Sequence, residues 1–476
     1  MPDQQSQKIL LQTPSFIHAF CTMAIIIVTI SGGLFFLHTS LHSLLLICIL
    51  VASTSARMLG YDYTTIRQAM HSGISSALTA IYIFILIGVL IAAFIASGTI
   101  STLIYYGISL LHPAILLPAS LVLCSFMSIA TGTSWGTVGT IGVVLMGIST
   151  TLGIPAPLMA GVIVSGACFG DKMSIVSDTT NLAAMAAKTQ LDRHIRSMTY
   201  TTAPTYLLTL VIFTVVGTKF ACEPLPVSAL NTIQGAIAQH FNLSPITLLP
   251  IVLMLGLSVA RIPAEPALLT SSITAVVIAV FLQDQTLPSV LTTLYDGNKT
   301  HTGIASVDHV LDRGGIASMM WTLSLSLMAL ALGGILERCQ FLYILISVLV
   351  KQIKRKATLI FVTLTGCFFG NVTMGEAYMS IILGGQLFGE AYDQKNIARF
   401  VLSRSLEEGA TLTTALIPWT TGGAFFASTL GVKVLDFAPW ALLNWLNFII
   451  SVVFAYLGIA LFTTNTKHYQ VEAQTG

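Results

Sequence analysis

Long apolar runs separated by short polar breaks fill this chain. About 20 apolar residues suffice for a helix to cross a bilayer. Runs of that kind, several of them shorter, fall near 16–37, 42–57, 77–97, 113–131, 137–153, 156–169, 199–218, 245–260, 265–283, 316–336, 357–370, 377–389 and 438–462. The pattern predicts an all-α membrane protein, a polytopic helical bundle of about 11–13 transmembrane or re-entrant segments. The runs near 156–169 and 357–389 predict broken or re-entrant helices rather than full crossings. A signal peptide would carry a shorter apolar core and a small-residue cleavage site, so Ser15–His38 reads as a retained first helix behind the polar Met1–Pro14.

Composition agrees. Of 476 residues, 55% are hydrophobic and only 8% charged, against about 25% charged in a soluble domain. So few charges cannot cover a water-facing surface of this size, whereas a lipid-facing one has no such need. The net charge is +2, and no basic patch of the kind nucleic acid requires is present. Cys21, Cys48, Cys124, Cys168, Cys222, Cys339 and Cys367 form no CxxC pair and read as small packing residues.

Two polar loops, Cys222–Leu243 and Gln283–Gly314, punctuate the chain, and two basic stretches, Lys188–Arg196 and Lys351–Lys356, belong in the cytoplasm by the positive-inside rule. The halves resemble each other. Gly73-Ile74-Ser75-Ser76 is matched by Gly315-Ile316-Ala317-Ser318, Thr133–Gly136 by Val372–Gly375, and the run at Asp178 by that at Glu408, at shifts of 242, 239 and 230 positions. This predicts two inverted repeats with discontinuous helices: 1–220 with an extra N-terminal helix, a connector at 221–244, and 245–476. Unwinding a helix in a bilayer frees backbone groups that hydrocarbon cannot satisfy, so the breaks must face protein or a water-filled cavity.

Four polar stretches mark those breaks. In Gly166–Asn181, two carboxylates, one ammonium and several hydroxyl or amide side chains interrupt an apolar run. Na+ is a small hard cation that prefers oxygen ligands, which Asp171, Ser174, Ser177, Asp178, Thr179 and Asn181 can supply. Asp171 and Asp178, the two proposed Na+ carboxylates, lie seven apart, two turns on one helical face. Lys172 reads either as their structural partner or as the group that tunes them. A solvated loop would also hold charges, yet this run is rich in Ser, Thr and Asn and short of Lys and Glu. A second stretch, with Thr131, Thr133, Ser134, Trp135 and Thr137, reads as cavity lining or as close helix packing through small residues. Its counterpart holds Asn371, Thr373 and Glu376, an ionisable residue in an apolar run and therefore a functional candidate. The fourth holds Arg404, Glu407, Glu408, Thr411 and Trp419. There Arg404 and Glu408 are spaced to pair, and Glu408 is preferred over Glu407 for the substrate path. Arg57, Arg67, Arg261, Glu337 and Arg338 read as snorkelling residues at helix ends.

Three segments carry a family likeness: TGTSWGTVGTIG at 131–142, SGACFGDKMSIVSDTTNLA at 165–183 and LSRSLEEGATLTTALIPWTTGG at 402–423. Through them the chain resembles the NhaC-type Na+/H+ antiporters over roughly residues 60–430. The resemblance implies inverted repeats and exchange of Na+ for H+, or coupling of both to organic anions such as malate and lactate. The chain departs from the family's usual pattern at Ile175, where proline is common, at Glu408 (aspartate) and at Thr420 (asparagine). The loss of the amide at Thr420 bears on cargo more than on transport class.

The expected activity is secondary active antiport at a buried carboxylate that holds Na+ or H+. Burial favours the neutral form of such a group and a nearby cation favours the charged one. The rival cargo is an organic acid or amino acid, which an inward-facing Arg404 beside Trp135 or Trp419 would favour. An enzyme is disfavoured, since no catalytic or cofactor motif is present. Expected partners are the bilayer of a bacterial inner membrane, Na+ and H+, and a second copy of the chain, with no cofactor and no nucleic acid.

Overall fold

The computed structural model describes residues 13–463 apart from 111–112, 222–226, 301, 305–307 and 309–310. The polar N-terminus up to residue 12 and Cys222 lie outside the described residues. The described elements are helices, with a single isolated bridge between Ile397 and Thr463. Among the described residues, seven helices are long and apolar enough to cross a membrane, and up to eleven crossings result if each of four bent pairs counts as one. The protein is a multi-pass helical membrane protein.

Most apolar runs become the helices they predict, Pro113–Thr131 to the residue. The differences have physical causes. The run at 199–218 is the rear of a longer helix, Leu191–Thr218, whose charged first turns are helical too. The supposed polar loops contain helices Val227–His240 and Leu287–Asp296. Among the helices that hydropathy did not mark are Phe341–Gln352 and Arg399–Thr414. The second carries Arg404, Glu407 and Glu408, and every residue from Phe400 to Thr414 is buried. A helix enclosed by protein needs no lipid-facing stripe.

One shift of 243 positions relates the core of the two halves. It carries Pro113–Thr131 onto Lys356–Met374, 134–151 onto Ala377–Gln394, and the helix starts Ala156 and Asp178 onto Arg399 and Thr421. Contacts obey the same shift. A Cβ at Gly166 would lie 2.5 Å from the Leu121 carbonyl and 2.8 Å from Cys124 Cβ, and one at Gly409 would lie 2.7 Å from the Leu364 carbonyl and 2.9 Å from Cys367 Cβ. Ser128 donates to the Ala167 carbonyl, and Asn371 to that of Ala410. The shifts of 242, 239 and 230 are thus replaced by one. Glu376 corresponds to Thr133, not to Thr137.

These glycines make a testable point. Gly166→Ala and Gly409→Ala would press a methyl into a backbone carbonyl, and overpacking of this kind costs about 1–3 kcal/mol. Both should lower the unfolding temperature in detergent. Gly256→Ala, where nothing lies within 4 Å, should not. Equal melting of all three would disprove close packing at the repeat-related pair.

Each repeat places a hairpin before a broken helix. The first turns at Gly132, and its return arm packs Ile148 on Gly107 of the preceding helix Thr99–Leu110; the second turns at Gly375 and returns on its own first arm, with Phe388 on Gly366. Helix Ala156–Met173 then breaks before Asp178–Ala186 with a bend of 52°. Its counterpart Arg399–Thr414 breaks before Thr421–Leu430. The short halves change sides. Asp178–Ala186 packs on 377–394 and 399–414, with Ala186 against Gly385, while Thr421–Leu430 packs on 134–151, with Leu430 beside Gly142. Helices 191–218 and 442–457 pack on each other and on both broken helices. Outside this core, 41–58 and 63–75 lie on 316–338, and 264–282 and 287–296 lie on 78–96. The repeats are interlocked rather than side by side.

Candidate functional site

Both hairpin tips and both helix breaks meet at one cavity of about 570 Å³. Local sequence explains the turns. Gly132 and Gly375 sit at φ 68° and 70°, a left-handed conformation that only glycine adopts freely. Each is followed by an extended residue that caps the next helix. Thr133 accepts from Gly136 N, and the Glu376 carboxylate accepts from Ala377 N at 2.9 Å and Tyr378 N at 3.4 Å. The breaks restart alike, with Ser177 accepting from Thr180 N and Thr420 from Gly423 N. Helix ends leave unsatisfied backbone groups, and four such ends are brought to the cavity by these caps.

Charge gathers on one side. Asp171 Oδ2 accepts from Ser134 Oγ at 2.9 Å, which ties the first hairpin tip to the first broken helix. Lys172 Nζ lies 3.7 Å from that same oxygen, 3.0 Å from Glu407 Oε1, and donates to Thr179 Oγ1 at 3.4 Å. Lys172 and Glu407 are 1% and 0% exposed, so the pair is fully withdrawn from water. Glu376 Oε2 accepts from Thr421 Oγ1 at 2.5 Å, which ties the second tip to the second break. Thr421 N also donates to the Gly375 carbonyl. Asp178 opens onto the cavity from the first turn of its helix.

Of the sequence candidates, Asp171, Ser177, Asp178, Thr179, Thr131, Thr133, Ser134, Trp135, Glu376 and Thr411 line this cavity. Trp135 stacks against Phe84 and Phe425, with ring centres 5.2 and 4.8 Å away. The others lie elsewhere. Ser174 donates to the Ile129 carbonyl, and the Asn181 amide donates to the carbonyls of Ile175 and Ser177, bridging the break. Thr137 and Thr373 bond back to their own helices, Asn371 joins the hairpin to Ala410, and Trp419 Nε1 donates to the Val372 carbonyl. Arg404 and Glu408 form no ion pair among the described residues. Arg404 donates to Ser197 and the Ala460 carbonyl, and Glu408 accepts from Thr201 and Ser451. The order of the two glutamates is therefore reversed: Glu407 reaches a cavity residue and Glu408 faces away from it.

Sequence reasoning missed Tyr378, Thr414 and Thr421, and read Arg261 only as a snorkelling cation; with Glu265 it lines the cavity. The Glu407–Lys172 pair was also missed, and no spacing could reveal it, because the partners stand 235 positions apart on different helices.

Interlocked repeats, hairpin tips buried against helix breaks, and carboxylates gathered in a central cavity define a secondary transporter. A family model bears on which kind. It is that of the Na+/H+ antiporter family, and it matches residues 166–459. The chain belongs to this family. It is 38% identical over 440 residues to the Na(+)/H(+) antiporter NhaC of Alkalihalophilus pseudofirmus, covering 92% of this chain and 94% of that one. It is 33% identical to the malate-2H(+)/Na(+)-lactate antiporter of Bacillus subtilis, over 98% and 99% of the two chains. It is 32% identical to the arginine/ornithine antiporter ArcD of Halobacterium salinarum, over 97% and 96%.

Proposed function

We infer that this protein exchanges Na+ for H+ across the bacterial inner membrane, with the cation held by Asp171 and Asp178. The observation that carries this is the balance of charge in the cavity. Asp171, Asp178, Glu265 and Glu376 line it against Lys172 and Arg261, and Lys172 already serves two carboxylates. A cavity so charged suits a cation. Hydroxyls of Ser177 and Thr179, 3.2 Å apart beside Asp178, supply further hard oxygen donors. Lys172 competes with Na+ for Asp171, and a proton competes with Na+ for the carboxylates. The gradient supplies the energy, so no cofactor is needed.

The basic stretches support inversion. Lys351–Lys356 ends where the second hairpin begins, and Lys188–Arg196 follows the first broken helix. Both belong to the cytoplasm. The first hairpin begins and ends across a broken helix from Lys188–Arg196, on the opposite face. The hairpins therefore enter from opposite sides, and alternate release of the Ser134–Asp171 and Thr421–Glu376 ties gives alternating access.

A second reading, exchange of an organic acid or amino acid, has one observation in its favour. A volume of about 570 Å³ lies in the range of about 300–1,000 Å³ typical of small-molecule sites and exceeds what a bare ion needs. Arg404, the guanidinium expected to hold such a cargo, is turned away from the cavity. Proteoliposomes containing a pH dye decide between the readings. Addition of Na+, but not K+, should move protons. If no cation does so in folded protein, while preloaded malate, lactate or arginine supports counterflow, the organic reading holds.

A further inference from the structure

Behind the cavity, helices 191–218, 399–414 and 442–457 enclose a second carboxyl. Glu408 has no exposed surface. Its Oε1 accepts from Thr201 Oγ1 and its Oε2 from Ser451 Oγ, each at 2.5 Å. Among the described residues it has no ion pair. Arg404, one turn earlier, is the charged group that acts on it, but its guanidinium donates to Ser197 and the Ala460 carbonyl and not to Glu408, and its Nε has no hydrogen-bond partner. The other titratable neighbours are engaged elsewhere: Lys172 with Glu407, His194 with Ser403, and Tyr392 with Thr363 and Ser405. Helix 442–457 brings only neutral groups to it: Ser451, and the buried amide of Asn447, neither end of which has a hydrogen-bond partner.

We propose that Glu408 is a proton-binding site separate from the cation site in the cavity. A bare carboxylate buried without a cation is costly, whereas a hydrogen-bonded neutral acid is not. The hydroxyls around Glu408 serve either state. As a carboxylate it accepts from Thr201 and Ser451. As an acid its O–H donates to Thr201 Oγ1, whose own proton turns to the Met198 carbonyl 3.2 Å away. No other side chain has to move. Thr411, three residues on, lines the cavity with a hydroxyl that has no hydrogen-bond partner. It offers a step for the proton between the carboxyl and the cavity. Na+ and H+ then bind at different places, and the proton count per Na+ includes one that never meets the cation.

Infrared difference spectra of the purified protein, recorded across pH, test this without transport. The wild type should show a protonated buried carboxyl that disappears in Glu408→Gln and persists in Asp178→Asn. If Glu408→Gln keeps every carboxyl band of the wild type, Glu408 stays ionised and the proposal fails. The transport arm rests on the Na+/H+ reading. In proteoliposomes, Glu408→Gln should retain ²²Na+ counterflow and move fewer protons per Na+. An unchanged ratio, or loss of ²²Na+ counterflow itself, overturns a separate proton site. Failure of the wild type to exchange Na+ for H+ would sink the transport reading, while the infrared result still decides on Glu408.

Discussion

Asp178→Asn is expected to abolish Na+-evoked proton movement in proteoliposomes while leaving the protein folded. Asparagine keeps the size of the side chain and its place in the first turn of helix 178–186. What it removes is the charge proposed to hold Na+ and the oxygen proposed to take a proton. Asp171→Asn is a different experiment, because that carboxylate also accepts from Ser134 and faces Lys172. Its loss should impair exchange and also loosen the first hairpin tip. The two variants are separable by thermal unfolding in detergent, where Asp178→Asn should match the wild type and Asp171→Asn should melt earlier. Normal exchange by Asp178→Asn would move the cation site to Asp171 and Glu376.

Lys172→Met should lower stability by about 3–5 kcal/mol, the usual cost of leaving a buried charge without its partner. The stranded group is Glu407, which has no exposed surface and, among the described residues, no other ion pair. Replacing both, as Lys172→Met with Glu407→Leu, should restore most of the lost stability, since a buried ion pair is often no stronger than apolar packing. The double variant should nevertheless fail to exchange ions. Denaturant unfolding reads the first effect and ²²Na+ uptake the second. A stable single variant would mean that water reaches Glu407 by another route. An active double variant would mean that Lys172 is only a strut.

Much of this was legible in the chain. Asp171 and Asp178 stood out as oxygen donors in a polar break of an apolar run, Glu376 as an ionisable group within one, and all three line the cavity. Most of the long helices followed from apolar length. Arg399–Thr414 did not, because a helix buried on all sides by protein obeys no hydropathy rule. The repeat was seen, but its register was not. Matching Trp135-Gly136 to Met374-Gly375 pairs similar letters, whereas the fold pairs Gly132 with Gly375 and Thr133 with Glu376. What is shared there is a backbone turn and a helix cap, made by threonine in one half and glutamate in the other. Chemistry diverged where geometry was kept. The same limit hid the partner of Lys172, since distant helices meet only in the folded chain.

The exchange of short helices between the halves has a bearing on how the chain is made. Helix 178–186 packs on 156–173 and 191–218 in its own half but most extensively on 377–394 and 399–414, which leave the ribosome about 200 residues later, or on the order of 10–40 s at ~5–20 residues per second. Over that interval Asp178 must wait in the membrane or at its edge without its final neighbours. Neither half can therefore mature by itself. A chain cut within 221–244 should be degraded when either piece is made alone, and rescued when both are made together.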